Sequence, residues 1–414
     1  MKIGEFAVRY NVSRDTVRHY IKFGLLIPDD TGAQLHFGER ECHDMETILR
    51  MKSQCFSLVE IRRFLDIYRV STMVEPESIQ DIITLFNQKK KELQQQAQNL
   101  MATCTDLEHE VRQLQEHLLP SDVRNDVPIS ALSLLACPRC GQSLELENAS
   151  LSHNCVHQGL LRCRCGYHAS IEDGIVMTDN RYTGTHDSPD LRRGIYRDVS
   201  PDFVTYIQRC TDFALRTLGK MDLHRRVVLE NHVNGYFFLY NNLSHLEPDC
   251  TYIIIDKYPE ILQMYKRNIE QLGLKLNILF IADAGLDFPI RHGAVDVLVS
   301  FMGCNEHSLY FQNPYIHDMK PFLNQKAIVL GANLGFHRES RSLRNIRKKY
   351  PEGDGNGFCY EDFSEHYRNE GYLVERQPVG VILETSDRFS FECHVAGEEL
   401  IVSHFLAKPV HKIL

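Results

Sequence analysis

Apolar positions follow three patterns along this chain. They have helical spacing at the start, heptad spacing in a long middle stretch, and form short β-branched runs beyond residue 200. Ile3, Phe6 and Ala7 share one face of a short helix predicted over IGEFAVR. Asn11-Val12 makes a turn. Ser13 then caps a second helix, RDTVRHYIKFG, whose Val17 and Ile21 face inward and which Gly24 ends. Downstream, Phe86, Lys90, Leu93, Ala97, Leu100, Cys104, Leu107, Val111, Leu114 and Leu118 are spaced alternately by four and three. A heptad seam sustained this long predicts a coiled coil, and Pro120 stops it. Beyond residue 200 the runs RVVLE, TYIIID, LNILFIAD, VDVLVSFMG and KAIVLGANL alternate with helical stretches such as PEILQMYKRNIEQLG. That alternation predicts a parallel, doubly wound α/β sheet, to which YLVERQPVGVILE and EELIVSHFLAKPV add two late strands.

The two N-terminal helices and their tight turn form a helix-turn-helix. Arg14, Arg18, His19 and Lys22 make the second helix basic on its outer side, suited to phosphates, with Arg14 and Thr16 near base edges. The stretch IGEFAVRYNVSRDTVRHYIKFGLLIP, a Gly-containing turn and then MKSQCFSLVEIRRFL resembles the MerR family of transcription regulators. Arg18, Tyr20, Gly24-Leu25-Leu26, Pro28, Phe56-Ser57-Leu58 and Glu60-Ile61 carry the likeness. It implies a winged helix-turn-helix at 1–74 that contacts double-stranded promoter DNA through Arg14, Thr16, Arg18, His19, Tyr20, Lys22 and His36. It also implies homodimerisation through a coiled coil at 75–120, and a regulator that distorts an over-long promoter spacer. The wing departs from the pattern. Ala33-Gln34 stand where the family has an aromatic and an arginine, which leaves His36 as a partial replacement.

Cys137-x-x-Cys140 and Cys163-x-Cys165 are two thiolate turns, and four thiolates so paired are the closed ligand set of structural zinc. Cys155, His153 and His157 lie between them as possible substitutes for one ligand. The frame Leu-x-Cys-Pro-x-Cys, Cys-Gly and Ile-x-Asp-Gly-Ile resembles the zinc ribbons that accompany certain RNA methyltransferases, which places a ribbon at 130–180.

The region 190–414 resembles the class I S-adenosylmethionine-dependent methyltransferases. The likeness implies cofactor contacts from Glu230, Gly235, Asp256 and Asp283, with Asp296 opening the fourth strand. Its glycine loop is degenerate. VVLENHVNGYFFLY has one glycine, and His232 and Val233 place bulk where backbone N–H groups would approach the cofactor. Asn305, Glu306 and His307 lie where methyltransferases hold substrate, and a His–Glu pair is a conceivable base. Ordinary loop polarity explains the three as well, and Cys304 reads as a buried structural thiol. Arg338, Arg341, Arg344 and Arg347 to Lys349 line one face of a predicted helix, which suits either phosphates or solvent.

Composition narrows the picture further. The 414 residues suit several domains, and 43% hydrophobic with 24% charged content is ordinary for globular protein. A net charge of −9 opposes a chain coated for non-specific nucleic-acid binding. MKIGEFAVRY lacks a signal-peptide core, and no run reaches the roughly 18–20 apolar residues of a membrane span. Thirteen cysteines then suggest a reducing, cytoplasmic setting. Two functions follow, beside a structural regulator with no ligand, held together by zinc and the coiled coil. One is a regulator whose methyltransferase-like domain senses a small-molecule effector, has no catalytic residue of its own and transfers no methyl group. The alternative is an active S-adenosylmethionine-dependent methyltransferase, on RNA or a small molecule, with an autoregulatory DNA-binding domain.

Overall fold

The computed structural model describes residues 1–30, 35–71, 75–116, 122–185, 187–191, 200–385 and 393–410. The chain divides into two compact units, Met1–Glu116 and His117–Leu414.

The first unit is helical, with α1 (Ile3–Arg9), α2 (Arg14–Lys22), a hairpin of β1 (Asp29–Asp30) and β2 (Leu35–His36), α3 (Glu39–Ser53), α4 (Leu58–Val70) and α5 (Pro76–Glu116). Ser13 caps α2 by accepting the Thr16 N–H at 3.0 Å. Gly24 follows the helix at a φ of +78°, while the Leu25 N–H reaches back to the Tyr20 carbonyl at 2.8 Å, a turn that only glycine enters without strain. Arg69 of α4 locks this exit. Its guanidinium donates to the carbonyls of Gly24 and Leu25 and pairs with Asp44 at 2.7 Å.

The core holds Phe6, Val17, Tyr20, Leu25, Phe37 and Ile48. The 41-residue α5 starts on this core, with Leu85 buried and Phe86 packed 5.1 Å from Phe56 and 6.0 Å from Phe64. Phe86, expected to open the heptad seam, therefore belongs to the domain core. Beyond it the seam residues Leu100, Leu107, Val111 and Leu114 are exposed. Leu118 and Pro120 lie outside the described residues, as do Ala33 and Gln34.

The second unit is built on one mixed sheet, twelve-stranded among the described residues. It opens with β3 (Val127–Pro128), β4 (Glu145–Ser152), β5 (Cys155–Arg162), β6 (His168–Glu172) and β7 (Ile175–Met177). Then come α6 (Pro201–Leu218), β8 (Val227–Asn231), the single turn α7 (Phe238–Asn241), β9 (Thr251–Asp256), α8 (Pro259–Gln271) and β10 (Ile278–Ala282). It closes with β11 (Val295–Phe301), α9 (Gly303–Tyr310), α10 (Tyr315–Met319), β12 (Leu323–Gly335), α11 (Arg341–Lys349), α12 (Phe363–Asn369), β13 (Tyr372–Ile382) and β14 (Leu400–Pro409).

Strands β10, β9, β8, β11 and β12 run parallel in that spatial order, and β14 and β13 close one side antiparallel. This is the doubly wound order expected of a Rossmann-like methyltransferase fold. The central strands read as near-continuous apolar runs because both faces are covered. Helices α6 and α8 cover one face, α10 and α12 the other.

The cysteine-bearing hairpins do not form a body of their own. β7 pairs in parallel with β10, Phe280 opposite Ile175, so β7, β6, β5 and β3 extend the same sheet. Segments 130–180 and 190–414, read separately from sequence, thus lie in one compact unit. The chain entering it is bolted to α8. Asn125 donates to Glu270 at 2.7 Å, and Asp126 pairs with Lys266 at 3.0 Å. Among the described residues, no helix is long and apolar enough to cross a membrane.

Candidate functional site

Three sites emerge. On α2, Arg14, Arg18, His19 and Lys22 are exposed and Thr16 is half-buried, so the expected outer surface forms. Arg18 is tethered to Asp15 at 2.9 Å, and the guanidinium of Arg14 lies against Gly4 of α1. His36, on the wing strand, is exposed. Tyr20 is only 2% exposed, and its hydroxyl accepts from Lys52 at 3.1 Å. Lying three residues after Val17, it shares the helix face turned to the core.

The four cysteines converge. The sulfurs of Cys137, Cys140, Cys163 and Cys165 all lie within 4.8 Å of one another, with Cys137–Cys165 at 3.3 Å and Cys140–Cys163 at 3.4 Å. Tetrahedral zinc with bonds of about 2.3 Å needs sulfurs roughly 3.8 Å apart, so the set fits such an ion. Each knuckle closes through a backbone bond, Gly141 N–H to the Cys137 carbonyl at 2.8 Å and Gly166 N–H to the Cys163 carbonyl at 2.9 Å. The alternative ligands are engaged elsewhere. Cys155 is buried beside Lys275, His157 bridges Asp126 and Asp173, and His153 contacts Ser152.

At the carboxyl ends of β8, β9 and β10, where doubly wound sheets hold ligands, the acidic side chains are hydrogen-bonded within the protein, while the Tyr182 and Tyr258 hydroxyls and His232 Nε2 are buried without a hydrogen-bond partner among the described residues. The Glu230 carboxyl oxygens accept the N–H groups of Phe238 and Leu239 at 2.8 and 2.9 Å. Asp256 accepts from the N–H groups of Asn234 and Tyr258, both at 2.9 Å. Asp283 accepts from Thr178 at 2.7 Å, from the Gly285 N–H at 2.7 Å and from Asn180. Asp296 is spent on Arg226 and the Val227 N–H.

The centre of the crevice is held by Lys257, which sequence reading passed over. Its buried ammonium pairs with Glu306 at 2.8 Å and Asp187 at 2.9 Å and lies 3.8 Å from the ring centre of Tyr310. Tyr182 and Tyr258 complete an aromatic cage at 5.0 and 5.3 Å. Burial opposes the charge, but Glu306, Tyr310 and Asp187 outweigh it and hold the ammonium well above its ordinary range. His232 sits in the loop with φ +57°, and burial keeps its imidazole neutral. A Cβ on Gly235 would meet, within the protein, only Glu306 at an ordinary 3.8 Å.

Among the described residues, the crevice keeps a cavity of about 30 Å³, room for about one water, where small-molecule sites span about 300–1,000 Å³. Among the same residues, this arrangement leaves no room for a nucleoside cofactor unless the Lys257 cage moves. The proposed His–Glu base pair does not assemble either. His307 is fully buried against Asp318 at 3.0 Å, while Glu306 faces Lys257. Asn305 bonds the Leu334 and Gly357 carbonyls, and Cys304 is buried. Several of the basic residues expected on this helix are engaged within the unit, Arg338, just before α11, with Asp362, and Arg341 and Arg347 of α11 with Glu398 and Asn356.

Burial raises the Glu230 carboxyl from 4.5 to about 8, against its backbone bonds, and raises Asp256 from 3.8 to about 7 with help from Glu306. The folded state therefore holds these protons to higher pH than the unfolded chain. Their contribution to stability is full below the ordinary carboxyl range and declines as pH rises towards 8. The melting temperature should fall between pH 5 and 8, and less steeply in Glu230→Gln. An identical slope in the variant removes Glu230 from the explanation.

No curated protein matches the chain. Among solved structures, N-methyltransferase 2 of Haemonchus contortus, bound to phosphomonomethylethanolamine and S-adenosylhomocysteine, is 12% identical with a TM-score of 0.37. The match covers 48% of this chain and about half, 52%, of that one. A SAM-dependent methyltransferase from Aquifex aeolicus is 14% identical at a TM-score of 0.34, over 54% of this chain and 100% of that one. A putative MerR family transcriptional regulator from Listeria monocytogenes is 18% identical at 0.23, over 28% and 86%. Residues 1–67 match the family model described as the MerR HTH family regulatory protein. The chain thus carries a MerR-type helix-turn-helix domain at its N-terminus.

Proposed function

We propose that the protein is a dimeric transcription regulator. Its α2 reads promoter DNA, its α5 pairs with a second copy, and its unit His117–Leu414 senses a small-molecule effector without methyl transfer. The single observation that carries the reading without methyl transfer is the Lys257–Glu306–Asp187 cage, which occupies the ligand end of the sheet with the protein's own side chains. The competing enzyme reading, which the zinc-ribbon resemblance favours and the degenerate glycine loop opposes, needs that cage to open and the hydrogen-bonded acids Glu230, Asp256 and Asp283 to be released. The stripe of exposed leucines on α5 supports dimerisation, because unpaired apolar side chains at heptad spacing gain most by facing a partner helix. Two-fold symmetry then matches a palindromic operator, and dimer contacts offset the cost of deforming the DNA. Zinc in the four-cysteine site serves as a structural clip, and cytoplasmic reducing conditions keep its thiols available.

The DNA half is tested by selecting genomic fragments with the full chain and measuring affinity against salt. Arg18→Ala should weaken the selected operator about tenfold and lower the salt slope by about one. Selection of no fragment, or an unchanged slope, contradicts the assignment.

A further inference from the structure

A second cavity, of about 440 Å³, opens in the unit His117–Leu414 and shares no lining residue with the crevice. Its origin is a truncated crossover. Parallel neighbours are usually joined across a covering helix, as α8 with its 13 residues does between β9 and β10. Between β8 and β9 the chain makes only the four-residue α7 and a three-residue 3-10 turn. Val228, Tyr252, Phe238 and Leu239 form the base of the cavity and are themselves buried, while Leu215, Met221, Leu223 and Leu246 are half-buried around its mouth.

The ionisable groups lining the cavity are Asp222, Glu247, His224 and His245, all exposed. His224 is paired with Asp249 at 3.1 Å, and no lysine or arginine lines the cavity. Its apolar interior and acidic rim define the complementary ligand. We propose that this cavity binds an apolar small molecule carrying a positive charge, its body between α6 and α7 and its charge at Asp222 and Glu247. The volume lies within the range of small-molecule sites. That this molecule is the effector rests on the sensor reading above. The route between the sites is short in sequence. Phe238 and Leu239 line the cavity, their N–H groups hold Glu230, and His232 of the crevice follows two residues later.

The test is equilibrium dialysis of the full chain against three naphthalene probes of like size: (1-naphthylmethyl)trimethylammonium, 1-naphthalenemethanol and 1-naphthalenesulfonate. The cation should bind saturably and at least tenfold more tightly than the alcohol, and the sulfonate not at all. Asp222→Asn with Glu247→Gln, both at the exposed rim, should shrink the cation's advantage to under threefold. Leu246→Trp, placed to fill the mouth, should abolish binding in a protein of unchanged melting temperature. Absence of saturable cation binding, or equal affinity for cation and sulfonate, overturns the assignment. So does a rim double variant that binds like the parent. Operator affinity measured with the same cation separates the two claims. Binding without any change at the operator keeps the cavity assignment and removes the sensor reading, while no binding removes the cavity assignment alone.

Discussion

Replacing Cys137 and Cys140 together with serine is expected to strip the metal from the protein and destabilise the whole unit His117–Leu414. Isolated zinc modules draw about 10–16 kcal/mol of apparent folding free energy from the ion. Here the knuckle hairpins are also held by strand pairing, β7 on β10 and β5 on β6, so part of the fold survives metal loss. A cost of roughly 3–5 kcal/mol remains reasonable. That is a large fraction of the roughly 5–15 kcal/mol that keeps a domain folded. Metal analysis should fall from about one zinc per chain to background, and the melting temperature should drop by many degrees. Cys155→Ser, outside the cluster, should keep its zinc. Unchanged zinc content in the double variant refutes the four-cysteine assignment.

Leu107→Glu with Leu114→Glu is expected to convert the protein to a monomer. Both side chains are more than half exposed on α5, and each apolar side chain buried in a paired helix contributes about 1.5–3 kcal/mol. Placing like charges along the seam removes that gain and adds repulsion in both chains. Operator affinity should fall at least a hundredfold, because a monomer meets one half-site. The domain core, with Phe86 and Leu85 upstream of the substitutions, should keep its melting temperature. Sedimentation equilibrium and an operator titration decide it. A variant that still sediments as a dimer places the interface elsewhere.

Much of this architecture was legible because it follows from spacing. The cap at Ser13, the glycine exit at Gly24, the paired cysteines and the alternation of strands and helices are each local signals with one physical cause. What was not legible depends on tertiary context. Tyr20 is polar-tipped and sits among basic residues, yet helical phase places it with Val17 in the core. Phe86 fits the heptad, but Phe56 and Phe64 claim it first. Gly235 looked like the survivor of a cofactor loop, while the left-handed backbone falls on His232. Lys257 gave no signal at all. A lysine beside a strand-end aspartate is ordinary until Glu306, Asp187 and Tyr310 arrive from distant segments. The union of the cysteine hairpins with the central sheet was hidden for the same reason. The run Ile175 to Met177 is too short to announce itself as a strand, and its partner β10 lies about a hundred residues on.

The central claim is that the ligand end of the sheet is closed by the protein's own charges. Calorimetric titration of the zinc-loaded full chain with S-adenosylmethionine, and separately with S-adenosylhomocysteine, addresses it most directly. The account predicts no binding heat up to millimolar ligand. Saturable binding in the micromolar range means that the Lys257 cage opens for the cofactor, and contradicts it.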